Sequence, residues 1–198
     1  MSISQPTAEM EKKWITGLQQ GDEKALKSIF NQYYKYLLAT AYNIVGDNAK
    51  AKDLVQDVFF EIWKKRNQID IQYSLRAYLR KSVVNRGLNY LKMHQRIDWG
   101  EEHFDIQTPD QAASPYFLVE ASDLQTIINN TIDNLPPKCK TIFSLSRFEK
   151  IPHKEIAQKL DISTKTIENH ITKALKLIRI AVDKYNDLSI FILFSLFG

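Results

Sequence analysis

The sequence predicts an all-α protein built as two small helical domains, and three observations carry that prediction. No stretch alternates apolar and polar residues over six positions with turn signals on both sides, so strands have no support. Apolar residues instead recur at spacings of three and four through both halves. Between the halves, residues 97–123 hold 7 acids and no Lys or Arg, with Gly100, Pro109 and Pro115 as breakers and no helical period. A length of 198 residues suits two domains of about 80 to 100 residues each. The divisions are a first domain at 10–97, an acidic linker at 98–121, a second domain at 122–185 and an apolar tail at 186–198. The competing arrangement, one domain with a solvated acidic loop, needs a loop length that is uncommon inside a compact domain.

Each element has its own signals. A first helix is predicted from Met10 to Gln20, stopped near Gly21. Asp22 can cap a second, whose Ala25, Leu26, Ile29, Phe30, Tyr33, Leu37, Ala41, Ile44 and Val45 share one side. Gly46 ends it and Asp47 caps a third helix over Asn48–Lys65, where Leu54, Val55, Val58, Phe59, Ile62 and Trp63 make a core stripe. A fourth helix runs from Ser74 to Arg96, with Leu75, Leu79, Val83 and Tyr90 toward the core. The second half predicts helices at 122–134, 137–149, 153–160 and 163–185, Pro137 suiting a first helical turn.

Composition excludes several functional classes. One cysteine, Cys139, rules out a disulfide framework and a cysteine-built zinc site. Four scattered histidines include no i, i+4 pair, and no Gly-rich loop precedes a helix, so no metal, nucleotide or other cofactor is expected. The first residues carry no apolar core of signal-peptide length, and the expected location is the cytoplasm.

The net charge of +4 hides a division. Residues 1–96 hold 16 basic and 9 acidic side chains, a net of +7; the linker segment is −7; residues 124–198 hold 11 and 7, a net of +4. Nine Lys and Arg against Asp70 put +8 between Lys64 and Arg96 alone. On the fourth helix Arg76, Arg80, Lys81 and Arg86 stand among Asn85, Asn89 and Tyr78. Cations fix phosphates, amides pair with base edges and aromatics stack on unpaired bases. That mixture suits opened nucleic acid better than a closed major groove, and the polar loop Asn67–Tyr73 beside it can present groups to an unstacked base.

The third helix has a second face. Asp53, Gln56, Asp57 and Phe60 lie at spacings of 3, 1 and 3, which groups two carboxylates and an amide around an aromatic. Such a face suits a cationic, partly apolar protein surface, and equally suits plain solvation with Phe60 half buried. Acid–base catalysis by the two carboxylates has no third group and no pocket to support it, and the chain is not expected to be an enzyme.

The most specific pattern is HKEIAQKLDISTKTIENHITKALK, residues 153–176. Ile156, Ala157 and Leu160 form a short apolar face, Asp161-Ile162 make a turn, and Ser163 caps a helix with Ile167, Ile171, Ala174 and Leu175 inward. This is the helix-turn-helix arrangement, whose second helix enters a major groove. Ser163, Thr164, Lys165, Thr166, Asn169, His170 and Lys173 are the candidate DNA-binding residues there.

With those residues in view, the chain resembles the extracytoplasmic-function (ECF) group of sigma-70-type RNA polymerase sigma factors. AKDLVQDVFFEIWKK and SLRAYLRKSVVNRGLNYLK are similar to the family's region 2, and LPPKCKTIFSLSRFEKIPHKEIAQKLDISTKTIENHITKALKLIR to its region 4. The version with an apolar tail most resembles those of Bacteroidetes-type bacteria. The resemblance implies a transcription initiation factor whose partners are core RNA polymerase (clamp helices and flap) and promoter DNA, with an anti-sigma factor as a further candidate. It implies that Asp53, Gln56, Asp57 and Phe60 dock on the clamp helices. It implies that Arg76, Arg80, Lys81, Asn85, Arg86 and Asn89 melt and read the downstream (−10) element, and that the helix from Ser163 reads the upstream (−35) element. Asn89 stands where many members have Asp, Lys92 where Arg is frequent, and Pro152-His153 where a Ser-Tyr type pair is usual; these bear on base preference, not on class.

Two expectations concern the whole chain. The tail Leu188–Gly198 is too short to span a bilayer, which takes about 20 apolar residues, and it has no charged face for a membrane surface. Its expected role is packing on a domain groove or between domains, and the acidic linker is expected to screen the DNA-binding surfaces before polymerase docks. A response-regulator-type helix-turn-helix regulator is the alternative, and it leaves the acidic-aromatic third helix unexplained.

Overall fold

The computed structural model describes residues 6–71, 74–94 and 121–197, with side chains of the last segment described over 124–185. The chain divides into two compact units, Met1–Gln95 and Arg96–Gly198. Among the described residues there are eight α-helices and no strand, so the all-α class holds. The acidic linker at 98–121 lies almost wholly outside the described residues, and the side chains of the apolar tail lie outside them too.

The first unit is four helices. α1 (Ala8–Gln19) begins two residues earlier than expected because Thr7 caps it, its Oγ1 accepting from the Met10 N–H at 3.3 Å. Gly21, at φ +79°, then turns the chain into α2 (Glu23–Val45), which Asp22 caps through the Lys24 N–H. Gly46, at φ +71°, ends α2, and Asp47 caps α3 (Asn48–Lys64). A 3₁₀ turn, Arg66–Gln68, leads toward α4 (Leu75–Met93), capped by Ser74.

α2 is the central helix, packing against α1, α3 and α4. Leu18, Ile29, Leu37, Val55, Val58, Ile62, Leu75, Leu79 and Val83 close the core around it. Where α4 crosses α2 the approach is close: a Cβ on Gly87 would lie 2.9 Å from Ile44 Cγ2. The buried seam of α4 does not run straight along its length. Residues four apart drift by about 40° per step on a helix of 3.6 residues per turn. The seam therefore passes from Leu75, Leu79 and Val83 to Val84, Leu88 and Leu91. Tyr90, expected inward, is half-buried and stacks on His94 instead, with ring centroids 4.2 Å apart.

A polar cross-brace ties three of these helices together. Glu11 of α1 accepts from the Tyr33 hydroxyl of α2 and, at 3.1 Å, from the Leu75 N–H that opens α4. Burial, and then the Glu11 carboxylate, push the Tyr33 hydroxyl's pKa up from its ordinary 10.0.

The second unit contains α5 (Ala121–Asp133), α6 (Pro137–Phe143), α7 (His153–Leu160) and α8 (Thr164–Phe197). α5, α6 and α7 each pack on α8. The single helix expected over 137–149 is α6 followed by a π-helical turn, Ser144–Phe148, closed by the Glu149 N–H on the Ser144 carbonyl at 3.0 Å. The chain leaves that turn through Lys150 at φ +55°, a left-handed conformation that no residue type in the segment advertises. α8 runs unbroken past residue 185 through the backbone of the segment assigned as a tail.

Candidate functional site

In the first unit, α3 turns Val55, Val58, Phe59 and Ile62 inward and leaves the opposite face bare. Asp53, Gln56, Asp57 and Phe60 all lie on that outer face and are exposed, with Phe60 64% accessible. Asp53 meets Lys50 at 3.7 Å, an exposed pair of little energetic weight. Beside the face, hydrogen bonding by Lys65 holds the Glu61 carboxyl below its usual range. A large aromatic exposed among carboxylates is an arrangement that suits a protein-docking face.

The six α4 candidates divide into three groups. Lys81, Asn85 and Asn89, at spacings of four, form one outward stripe with Tyr78 at its head and Lys92 at its foot. Arg76 lies elsewhere, its guanidinium over the Tyr36 ring of α2 at 4.3 Å, a cation–π contact. Arg80, half-buried, follows one turn later on that same side. Arg86 reaches across to α3, its Nη1 3.5 Å from Asp57 Oδ2, with side chains 33% and 61% exposed. One acid of the acidic-aromatic face of α3 therefore holds one cation of the basic helix α4.

The second unit builds the helix-turn-helix. α7 buries Ile156, Ala157 and Leu160, and Asp161 takes the left-handed conformation at φ 55°, with the Ile162 N–H on the Ala157 carbonyl at 3.0 Å. Ser163 caps α8 through the Thr166 N–H at 3.0 Å and also bonds the Thr166 hydroxyl at 2.9 Å. Thr166 thus serves the cap, while Thr164 and Lys165 stand exposed at the helix start. Ile167, Ile171 and Ala174 face the core.

Three expectations for α8 change. His170, expected outward, points its Nδ1 at the buried Cys139 sulfur of α6, 3.3 Å away. Leu175, expected inward, is 44% exposed, because at one residue past Ala174 it rotates about 100° off the seam. Lys173 is half-buried rather than outermost. The outer stripe is instead Lys165, Asn169, Thr172 and Lys176, at offsets of 4, 7 and 11. Thr172 and Lys176 were legible only by carrying the helical period outward from Lys165.

The described residues contain no group of three or more His, Cys, Asp or Glu placed to hold a metal, and no helix long and apolar enough to cross a membrane.

An exposed acidic-aromatic face and a basic helix in one unit, with a helix-turn-helix in the other, are the features of a two-part DNA-binding transcription factor. The sigma-70 region 2 model matches residues 29–97 and the sigma-70 region 4 model residues 125–178. The chain is 26% identical over 172 residues to the ECF RNA polymerase sigma-E factor of Haemophilus influenzae, covering 83% of this chain and 90% of that one. It is 22% identical over 179 residues to the ECF RNA polymerase sigma factor SigW of Bacillus subtilis, covering 86% and 95%. Among solved structures it is similar to CnrH in complex with the cytosolic domain of CnrY, at TM-score 0.46, 18% identity and coverage of 88% and 98%. The chain belongs to the ECF group of the sigma-70 family and carries that family's role in transcription initiation.

Proposed function

We propose that this chain binds core RNA polymerase through the outer face of α3 and directs it to promoters by reading two DNA elements. Region 2 is assigned to 10–97, the acidic linker to 98–121, region 4 to 122–185 and the apolar tail to 186–198. Asp53, Gln56, Asp57 and Phe60 form the docking face for the polymerase clamp helices. The stripe of Lys81, Asn85 and Asn89, with the cations Arg76, Arg80 and Arg86 around it, melts and holds the downstream element. Lys165, Asn169, Thr172 and Lys176 of α8 read the upstream duplex, with Ser163 and Thr164 at the helix start facing phosphate.

One observation carries this reading: Phe60 is 64% exposed on a helix that buries Val55, Val58, Phe59 and Ile62 on its other face, and it stands beside Asp53 and Asp57, whose ion pairs with Lys50 and Arg86 are weak and partly exposed. A regulator of the response-regulator type needs the second unit only. The chain itself supplies no chemistry and works in the cytoplasm, where polymerase and promoter are. An anti-sigma protein, which the family resemblance implies, would act by covering one of these surfaces.

The test is transcription in vitro by core polymerase on a pool of genomic fragments, with and without the chain. New, sequence-specific start sites that require the chain are the expected result. Start sites identical in both reactions would refute the proposal.

A further inference from the structure

We infer that His170 is a positioning residue: its bond to Cys139 fixes the roll of α8 about its own axis and so sets the register of Lys165, Asn169, Thr172 and Lys176 on the upstream duplex. The inference rests on the assignment of α8 as the recognition helix.

Within its packing on α5, α6 and α7, the first turns of this helix are held by an apolar seam and a cap. Ile167, Ile171 and Ala174 give it an apolar seam, which attracts without direction and permits small rolls. The Ser163 cap fixes where the helix begins, but a cap near the axis resists roll poorly. His170 lies about two turns further on, at the border between the buried seam and the outer stripe. Its Nδ1 is 3.3 Å from the sulfur of Cys139, a residue 1% exposed on α6. A bond between a ring nitrogen and a thiol is directional, and its length is within the range for sulfur. It is therefore placed to resist the motion that the apolar seam allows.

Roll matters because the outer side chains end far from the axis. At a radius of about 6 to 8 Å, a roll of about 10° moves them by about 1 Å, beyond the tolerance of about 0.5 Å that a preorganised contact needs. Loss of one well-made base contact lowers discrimination about tenfold or more. Phosphate contacts by Lys165 and Lys176 tolerate such a shift, because a charge acts without fixed direction.

The test uses the full chain assembled with core polymerase, and a duplex library with a randomised upstream segment as probe. Wild type selects a preferred sequence, and its enrichment over the pool is the readout. Cys139→Ala and His170→Ala should each lower that enrichment about tenfold, with the salt slope of binding to non-selected duplex unchanged. Cys139→Ser, which keeps a hydrogen-bonding group of similar shape, should retain most of it. Cys139 is buried and cannot touch DNA, so its effect separates positioning from a direct contact by His170. Unchanged enrichment in Cys139→Ala, whatever His170→Ala does, would overturn the inference. If Cys139→Ala does not fold, Cys139→Val, which fills the space without a hydrogen-bonding group, takes its place: loss of enrichment there supports positioning, and retention overturns it. Lys165→Ala with Asn169→Ala is the control, because undiminished enrichment there rejects α8 as the reading helix itself.

Discussion

Phe60→Ala separates docking from folding more sharply than any other change. Phe60 is 64% exposed, and a Phe offers about 200 Å² of side-chain surface, so about 130 Å² remains to be covered by a partner. At about 25 cal/mol per Å² its full burial contributes about 3 kcal/mol, which is about two hundredfold in affinity. Truncation to Ala keeps part of that area, so a loss of about 30- to 200-fold is expected for core polymerase, within the range for an interface hot spot. The same substitution removes few contacts from the folded chain, and its unfolding free energy should move by no more than about 0.5 kcal/mol. Titration of fluorescently labelled chain with core polymerase measures the first quantity, and urea unfolding the second. Duplex binding by the second unit should be untouched. An affinity within about threefold of wild type would refute Phe60 as an anchor, and a large stability loss with it would place the ring in the core rather than at a docking face.

Other outcomes follow from the packing and the caps. Gly87→Ala puts a Cβ 2.9 Å from Cγ2 of the buried Ile44, whose β-branching limits its room to rotate, so the first unit should lose about 1 kcal/mol net of the helix-propensity gain, read as a lower urea midpoint. Ser163→Ala removes the cap on α8 and should cost the second unit about 1 kcal/mol, or about 4–8 °C in its melting temperature. Tyr33 has a folded-state pKa raised above its unfolded value of about 10, so above pH 10 the unfolded chain releases its proton first. Stability of the first unit should be level below that pH and fall above it, and Tyr33→Phe should lessen the alkaline fall in denaturant midpoints.

Much of the fold was legible because its signals are local. Asp22, Asp47 and Ser163 each cap the helix that their type and position announce, and Gly21 and Gly46 take the left-handed turns that only glycine adopts readily. The α3 face was equally legible, since a helix buried on one side must expose the other. The π-helical turn after Phe143 was not, because its apolar spacing reads as continuous helix and nothing in SLSRF breaks it. The roll of the α4 seam was hidden for a related reason. Its residues can satisfy two adjacent stripes, and only the placement of α2 and α3 chooses between them at each turn.

Side chains that pair across elements are a different matter, because a sequence lists residue types without partners. Arg76, Arg86 and His170 were all assigned outward as cations or donors, and each is turned to a neighbour that no spacing rule could supply: Tyr36, Asp57 and Cys139. The Asp57–Arg86 contact has the widest consequence. Read as types, the acidic face of α3 and the basic helix α4 are two surfaces with opposite tasks. Read as geometry, they share a border, and the charge that offers Asp57 to a cationic partner is the charge that holds Arg86. Both groups are partly exposed, so the pair contributes at most about 1 kcal/mol and is no obstacle to exchange. A pair that weak can be exchanged for other partners, and it is therefore suited to the border between the proposed docking face and the proposed DNA-binding helix.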